Sequence, residues 1–245
     1  LVVLAALFLA LPAVAADPAL TPAQQKAVEE IVRKVLNDNP EIVLQAIQAY
    51  KAREEAAEEA RIQQTLGEKR AELTQDPDTP EAGNPKGDVT IVEFFDYQCG
   101  YCKRVVPMLQ EALKEDPNLR LVLKEYPVLG PQSLVAARAA QAAWKLDKAK
   151  YMPFHTAMMN AKGQLSDDKI FSLAGEAGLD VAKLKKAMDD PAVEAALLRN
   201  RELGQELGIN GTPTFVIGKI LIPGALPKEI LKDAVDANRK KGKGK

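Results

Sequence analysis

The stretch FFDYQCGYCK, residues 94–103, holds both cysteines of the chain, Cys99 and Cys102, with Gly100 and Tyr101 between them. Upstream, VTIVEFFDY starts at Val89 and is the apolar, β-branched and aromatic run of a buried strand. Downstream, CKRVVPMLQEALKED carries apolar residues at helical spacing. The pair therefore sits where a strand hands over to a helix. The N–H groups and dipole at a helix N-terminus stabilise a thiolate and lower its pKa, which predicts Cys99 as a nucleophile. Cys102 lies one turn further in, less exposed and in position to close a disulfide or to resolve a mixed disulfide held on Cys99.

Two other uses of such a pair stand beside this one. A structural zinc site wants about four Cys or His ligands, and the chain offers two cysteines and a single histidine, His155. Cu(I) could be held by two thiolates, with or without a methionine, so copper binding stays open. A purely structural disulfide would restrain the unfolded chain very little, because it closes a two-residue loop.

Past the first helix, LRLVLKEYPV (residues 119–128) reads as a second strand and completes a strand, helix, strand unit. A long helical stretch follows at about residues 131–208, broken by Gly, Asp and Pro signals. Two short apolar runs, TPTFVIGK and ILIPG, then suggest a hairpin, and PKEILKDAVDANRK a last helix. The fold class is α/β, with a helical subdomain inserted into a catalytic domain spanning residues 84–240. GTPTF places Thr212-Pro213 at a strand entry, where proline serves as a plain strand start or in a special turn.

Before this domain the chain has another character. Residues 1–16, an apolar run, a Pro12 break and small residues, are expected to be the remnant of a secretory signal, with the mature protein starting near Ala16 or Asp17. Export to an oxidising compartment, the periplasm, suits a redox-active pair. Residues 17–73 are predicted to be helical. Val28, Ile31, Val32, Val35 and Leu36 form one apolar stripe and Ile42, Val43, Leu44, Ile47 and Tyr50 another. From about Lys51 the sequence is mostly charge and alanine, with large apolar residues only at Ile62, Leu66 and Leu73, which suggests a solvated linker. Unpartnered stripes ahead of such a linker point to self-association. A Pro-, Gly- and Asp-rich stretch at residues 74–88 marks the boundary. The formal net charge of -1 advertises no nucleic-acid partner. His155 and Trp144 read as packing residues, and the five methionines share no ligand spacing.

FFDYQCGYC after a strand, a helical insert, then GTPTFVIG and a final helix resemble the thioredoxin-fold disulfide oxidoreductases of the DsbA-like class, from about Asp88 onward. The resemblance implies a thioredoxin fold, a cis Pro213 packed against the cysteines, and a Thr212 whose backbone meets substrate. It also implies that Glu93, six positions before Cys99, is a buried carboxylate that moves protons to and from Cys102. Gly100-Tyr101 departs from the Pro-His of strongly oxidising members and is similar to the disulfide isomerase DsbC. LNDNPEIVLQAIQAYKARE resembles the N-terminal region of the suppressor-of-copper-sensitivity protein C family, ScsC, whose trimeric members join three catalytic domains through it. The implied function is an exported disulfide isomerase with no bound cofactor. It would act as a homotrimer on client proteins with wrong disulfides and be kept reduced by a membrane-bound reductase. A dithiol oxidase and a periplasmic Cu(I)-binding protein for copper tolerance are the alternatives.

Overall fold

The computed structural model describes residues 20–243, so the signal-peptide reading of residues 1–16 lies outside the described residues. The chain divides after Ala57 into two compact units. In the first, α1 (Pro22–Asp38) is started by Thr21. Its side chain accepts from the Gln24 N–H at 3.4 Å while the Gln24 side chain accepts from the Thr21 N–H at 2.9 Å. No residue of α1 is buried, and α2 (Glu41–Glu68) begins with Ile42, Val43, Leu44, Ile47 and Tyr50 all exposed.

The second unit, Glu58–Lys245, starts earlier than the expected catalytic boundary at 84. The end of α2 and the short α3 (Arg70–Thr74) are part of it, with Leu66 and Leu73 fully buried. The charge-rich segment is thus a solvated linker only in its first part. Two leucines, seven residues apart, suffice to dock the rest, and hydrogen bonds from Arg61 to the Glu206 carbonyl (2.8 Å) and from Gln63 to the Lys219 carbonyl (2.7 Å) hold it in register. The stretch expected to be a plain boundary also contains a strand, β1 (Glu81–Gly83).

The sheet has five strands in the order β1-β3-β2-β4-β5. β2 (Val89–Phe95) and β3 (Leu119–Glu125) run parallel, joined through α4 (Gly100–Glu115). β4 (Thr214–Ile217) lies antiparallel to β2, and β5 (Ile220–Pro223) closes the predicted hairpin. Between β3 and β4 stands the helical insert: α5 (Pro131–Leu146), α6 (Lys148–Asn160), α7 (Asp167–Glu176), α8 (Val181–Met188) and α9 (Pro191–Glu206). α10 (Lys228–Lys243) ends the fold.

Strand alternation splits the core into two layers. Ile91, Phe95, Leu121, Leu123 and Phe215 face α4, α10 and most of the insert, whose α5 contributes a row of buried alanines that lets neighbouring helices approach closely. Val92, Phe94, Val122 and Val216 face the other way, against Leu66, Leu73, Leu203 and Leu207. On that side a Cβ at Gly204 would stand 2.5 Å from the Tyr126 ring, so α9 needs glycine there.

Candidate active site

β2 ends at Phe95, and within the next three residues, Asp96 to Gln98, the chain must turn toward the Cys99 N-cap of α4. Asp96, itself buried, makes that turn. One carboxylate oxygen accepts from the Gln98 N–H at 2.8 Å, and the other accepts from the N–H groups of Val128 and Leu129 at 2.8 and 3.0 Å. The Asp96 carbonyl accepts from the Cys99 N–H at 3.0 Å. Cys99 thereby becomes the N-cap of α4, with its sulfur accepting from the Cys102 N–H at 3.5 Å. Sequence reasoning passed over Asp96; its signal was an aspartate two residues before Gln98 at a strand end, the spacing of an Asx turn.

The register of β4 on β2 brings the second motif to the cysteines. Glu93 pairs with Phe215 and Phe94 with Thr214, so Thr212 and Pro213 fall just beyond the strand end that leads to Cys99. The Thr212–Pro213 peptide bond is cis, and the Cys99 thiol donates to the Thr212 carbonyl at 3.1 Å. Both cysteines are free thiols, Cys99 6% exposed and Cys102 fully buried. Gly100 and Tyr101 are exposed, and the Arg104 guanidinium lies 4.1 Å from the centre of the Tyr101 ring.

These surroundings split the two thiols. The Cys102 thiol first, then the Thr212 side chain and the N–H groups of Cys102 and Tyr101, hold the Cys99 pKa down to about 5 against the cost of burial. Burial pushes Cys102 far above the ordinary thiol range, and its hydrogen bond to Cys99 adds to this. At neutral pH Cys99 is a thiolate and Cys102 a thiol. Glu93 alternates onto the same sheet face, 1% exposed, with Oε1 unpartnered. Its burial, and secondarily the Cys99 charge, raise its pKa to about 8. The structure thus gathers Cys99, Cys102, Glu93, Gly100, Tyr101, Thr212 and Pro213 in one place. Among the described residues, no group of three or more His, Cys, Asp or Glu side chains is disposed to hold a metal ion.

A family model for the DSBA-like thioredoxin domain matches residues 90–236. The chain belongs to this family. Its match begins inside β2 and takes in the cysteine pair, the whole insert and the Thr212–Pro213 turn. Among solved structures of the family fold, a thioredoxin-like oxidoreductase from Silicibacter pomeroyi is 46% identical, covering 70% of this chain and 98% of its own, with a TM-score of 0.68. Proteus mirabilis ScsC in a transitional conformation is 31% identical, covers 91% of this chain and 98% of its own, and has a TM-score of 0.68. That second likeness extends through the N-terminal helices, outside the DSBA-like domain. Among curated proteins, the Na(+)/H(+) antiporter NhaA 1 of Salinispora arenicola is 28% identical over 65% of this chain. The chain spans about a quarter of that relative's length, 25%.

His155, read from the sequence as a packed or surface residue without a partner, is buried and hydrogen-bonded to Tyr97. No spacing in the sequence links these two, which are brought together only by the docking of α6 on the end of β2.

Proposed function

We propose that this chain is an exported thiol-disulfide oxidoreductase that acts as a disulfide isomerase on client proteins. The observation that carries this reading is the division of labour in the pair: a stabilised thiolate on Cys99 at the helix N-terminus and a fully buried, protonated Cys102 one turn behind it. The Cys99 thiolate attacks one sulfur of a client disulfide. That S–S bond breaks, a Cys99–client disulfide forms, and the other client sulfur leaves as a thiolate.

Two exits follow. In isomerisation a different client thiolate attacks the client sulfur of the mixed disulfide, makes a new client disulfide and releases Cys99 as thiolate, with no net oxidation. In the second exit, Cys102 gives its proton to Glu93 and attacks the Cys99 sulfur. The client leaves reduced by two electrons, the pair is left as a disulfide, and a reductant must restore it. A membrane-bound reductase is the partner this exit requires. Glu93 suits the proton transfer because consuming the Cys99 charge in the mixed disulfide removes one of the causes that raise its pKa. The Thr212 backbone beside Cys99 is the edge on which an extended client segment would lie.

The first unit supplies the second half of the reading. Side chains such as Ile31, Leu44 and Tyr50 are 61%, 62% and 64% exposed in the single chain, and each large apolar side chain is worth about 1.5–3 kcal/mol when buried. Residues 17–73 are proposed to join copies of the chain, as a homotrimer, so that several Cys99 thiolates face one client and raise the local thiolate concentration.

One observation favours the alternative, a dithiol oxidase. Stabilising the reduced form through the Cys99 thiolate makes the pair more oxidising. Reduced chain incubated with a scrambled multi-disulfide protein decides between them. Reactivation that continues for many turnovers without added oxidant supports the isomerase, and reactivation that requires an oxidised pair supports the oxidase. A Cu(I) titration tests metal storage: tight binding abolished by replacing both cysteines would favour the copper reading over both.

A further inference from the structure

Tyr97 lies within the turn that presents Cys99, yet its side chain is buried, 1% exposed. Its hydroxyl stands 2.9 Å from Nδ1 of His155 and 3.2 Å from Oε1 of Glu125, the last residue of β3. Tyr151 reaches the same Glu125 oxygen at 3.1 Å. Tyr151 and His155 both belong to α6, so one cluster ties the end of β3 and a helix of the insert to the active-site turn. Rings close it on several sides: Phe95 is edge-on to both Tyr97 and His155, Tyr151 stacks on His155, and Trp144 is edge-on to Tyr151.

Burial holds Glu125 well above the carboxylate range and His155 down at about 3, so Glu125 is an acid and His155 neutral. Tyr97 and Tyr151 both donate to Glu125 Oε1, and the Tyr97 oxygen accepts from the proton that neutral His155 carries on Nδ1. The cluster carries no net charge. That matters because Glu93 and Asp96 stand near it and the Cys99 thiolate lies two residues from Tyr97, so a further carboxylate here would oppose the thiolate.

We propose that Glu125, Tyr97, Tyr151 and His155 form a buried positioning network that locks the Asp96–Cys99 turn and so keeps the Cys99 sulfur in reach of the donors that stabilise its thiolate. The proposal rests on Cys99 being the activated nucleophile. The groups that stabilise the thiolate act by short-range geometry: the Cys102 thiol and N–H, the Thr212 side chain and the Tyr101 N–H. A turn released by a few tenths of an ångström loses them together. Removing the Tyr97 hydroxyl takes one donor from Glu125 Oε1 and the hydrogen-bond partner from His155 Nδ1 in a buried site, which is the condition under which a buried polar network gives way.

The test is the pH midpoint of Cys99 alkylation by iodoacetamide in the full reduced chain, read for wild type, Tyr97→Phe, His155→Leu and Glu125→Gln. Tyr97→Phe and His155→Leu are each expected to raise the midpoint by about 1, a roughly tenfold smaller thiolate fraction at acid pH. Glu125→Gln stays neutral, its Oε1 can accept from both Tyr97 and Tyr151, and it is expected to leave the midpoint in place. A wild-type midpoint in the ordinary thiol range overturns the activated Cys99 itself. A low wild-type midpoint that neither Tyr97→Phe nor His155→Leu moves, whatever their thermal stability, overturns the network alone. A Glu125→Gln shift as large as that of Tyr97→Phe also overturns it, because the ionisable proton and not the position would then set the thiolate. If either hydroxyl or ring variant fails to fold, the other decides.

Discussion

Cys102→Ala probes the largest influence on the nucleophile while leaving a single thiol to report. The substitution removes the thiol that hydrogen-bonds Cys99 but keeps the Cys102 N–H, which lies 3.5 Å from the Cys99 sulfur, and the Tyr101 N–H. A hydrogen bond to a charged group is worth about 1.5–3 kcal/mol. At 1.36 kcal/mol per pH unit this raises the Cys99 pKa by about 1–2, from about 5 to about 6–7. At pH 6 the thiolate fraction then falls from about nine-tenths to between about a half and a tenth. The assay is the alkylation rate between pH 4 and 9, with thiolate absorbance near 240 nm as an independent reading. A midpoint that stays at about 5 would mean that the helix N-terminus alone activates Cys99. A midpoint at the free-thiol value would mean that the remaining N–H groups and the Thr212 side chain contribute nothing, and either result refutes this division of causes.

Other consequences are as specific. Glu93→Gln removes the proton acceptor for Cys102, so escape from a trapped mixed disulfide through Cys102 should slow by about 10²-fold while attack by Cys99 persists, measured by quenched-flow trapping. The reduced chain should show compensating pH effects on stability. Cys99 has a depressed folded pKa, so its contribution is present above its ordinary value of 9.0 and lost as pH falls through about 5. Glu93 has a raised pKa, so its contribution is present below 4.5 and lost as pH rises through about 8. Urea melts of reduced Glu93→Gln should therefore gain stability relative to the wild type from pH 5 to 8. Gly204→Ala should cost about 1–3 kcal/mol in denaturant melts, because its new methyl meets the Tyr126 ring; an unchanged midpoint would show that α9 moves freely there.

Much of the site could be read from Cys99, Cys102 and their place between VTIVEFF and a helix, because strand alternation and helix-terminus chemistry are local rules. The hairpin after Pro213 and the helical insert were legible for the same reason. The docking of the α2 end was not: Leu66 and Leu73 are sparse among charged residues, and only a sheet face already formed by Val92, Phe94 and Val122 gives them somewhere to go. β1 is three residues long and pairs with β3 across Glu81, Ala82 and Gly83, too short to show a period. Glu125 and His155 carried no sequence signal, since their partnership depends on α6 packing against the end of β3 and on Tyr97 pointing inward.

The central claim is that Cys99 chemistry and the N-terminal helices together make an isomerase. It is tested most directly by measuring light-scattering mass and reactivation of a scrambled multi-disulfide protein, for the chain from Asp17 and for the compact unit from Glu58. The longer chain should be an oligomer that restores activity, and the shorter one a folded monomer that retains thiol exchange but restores little. A monomeric longer chain, or equal reactivation by both, would contradict the claim and leave a simple dithiol oxidase.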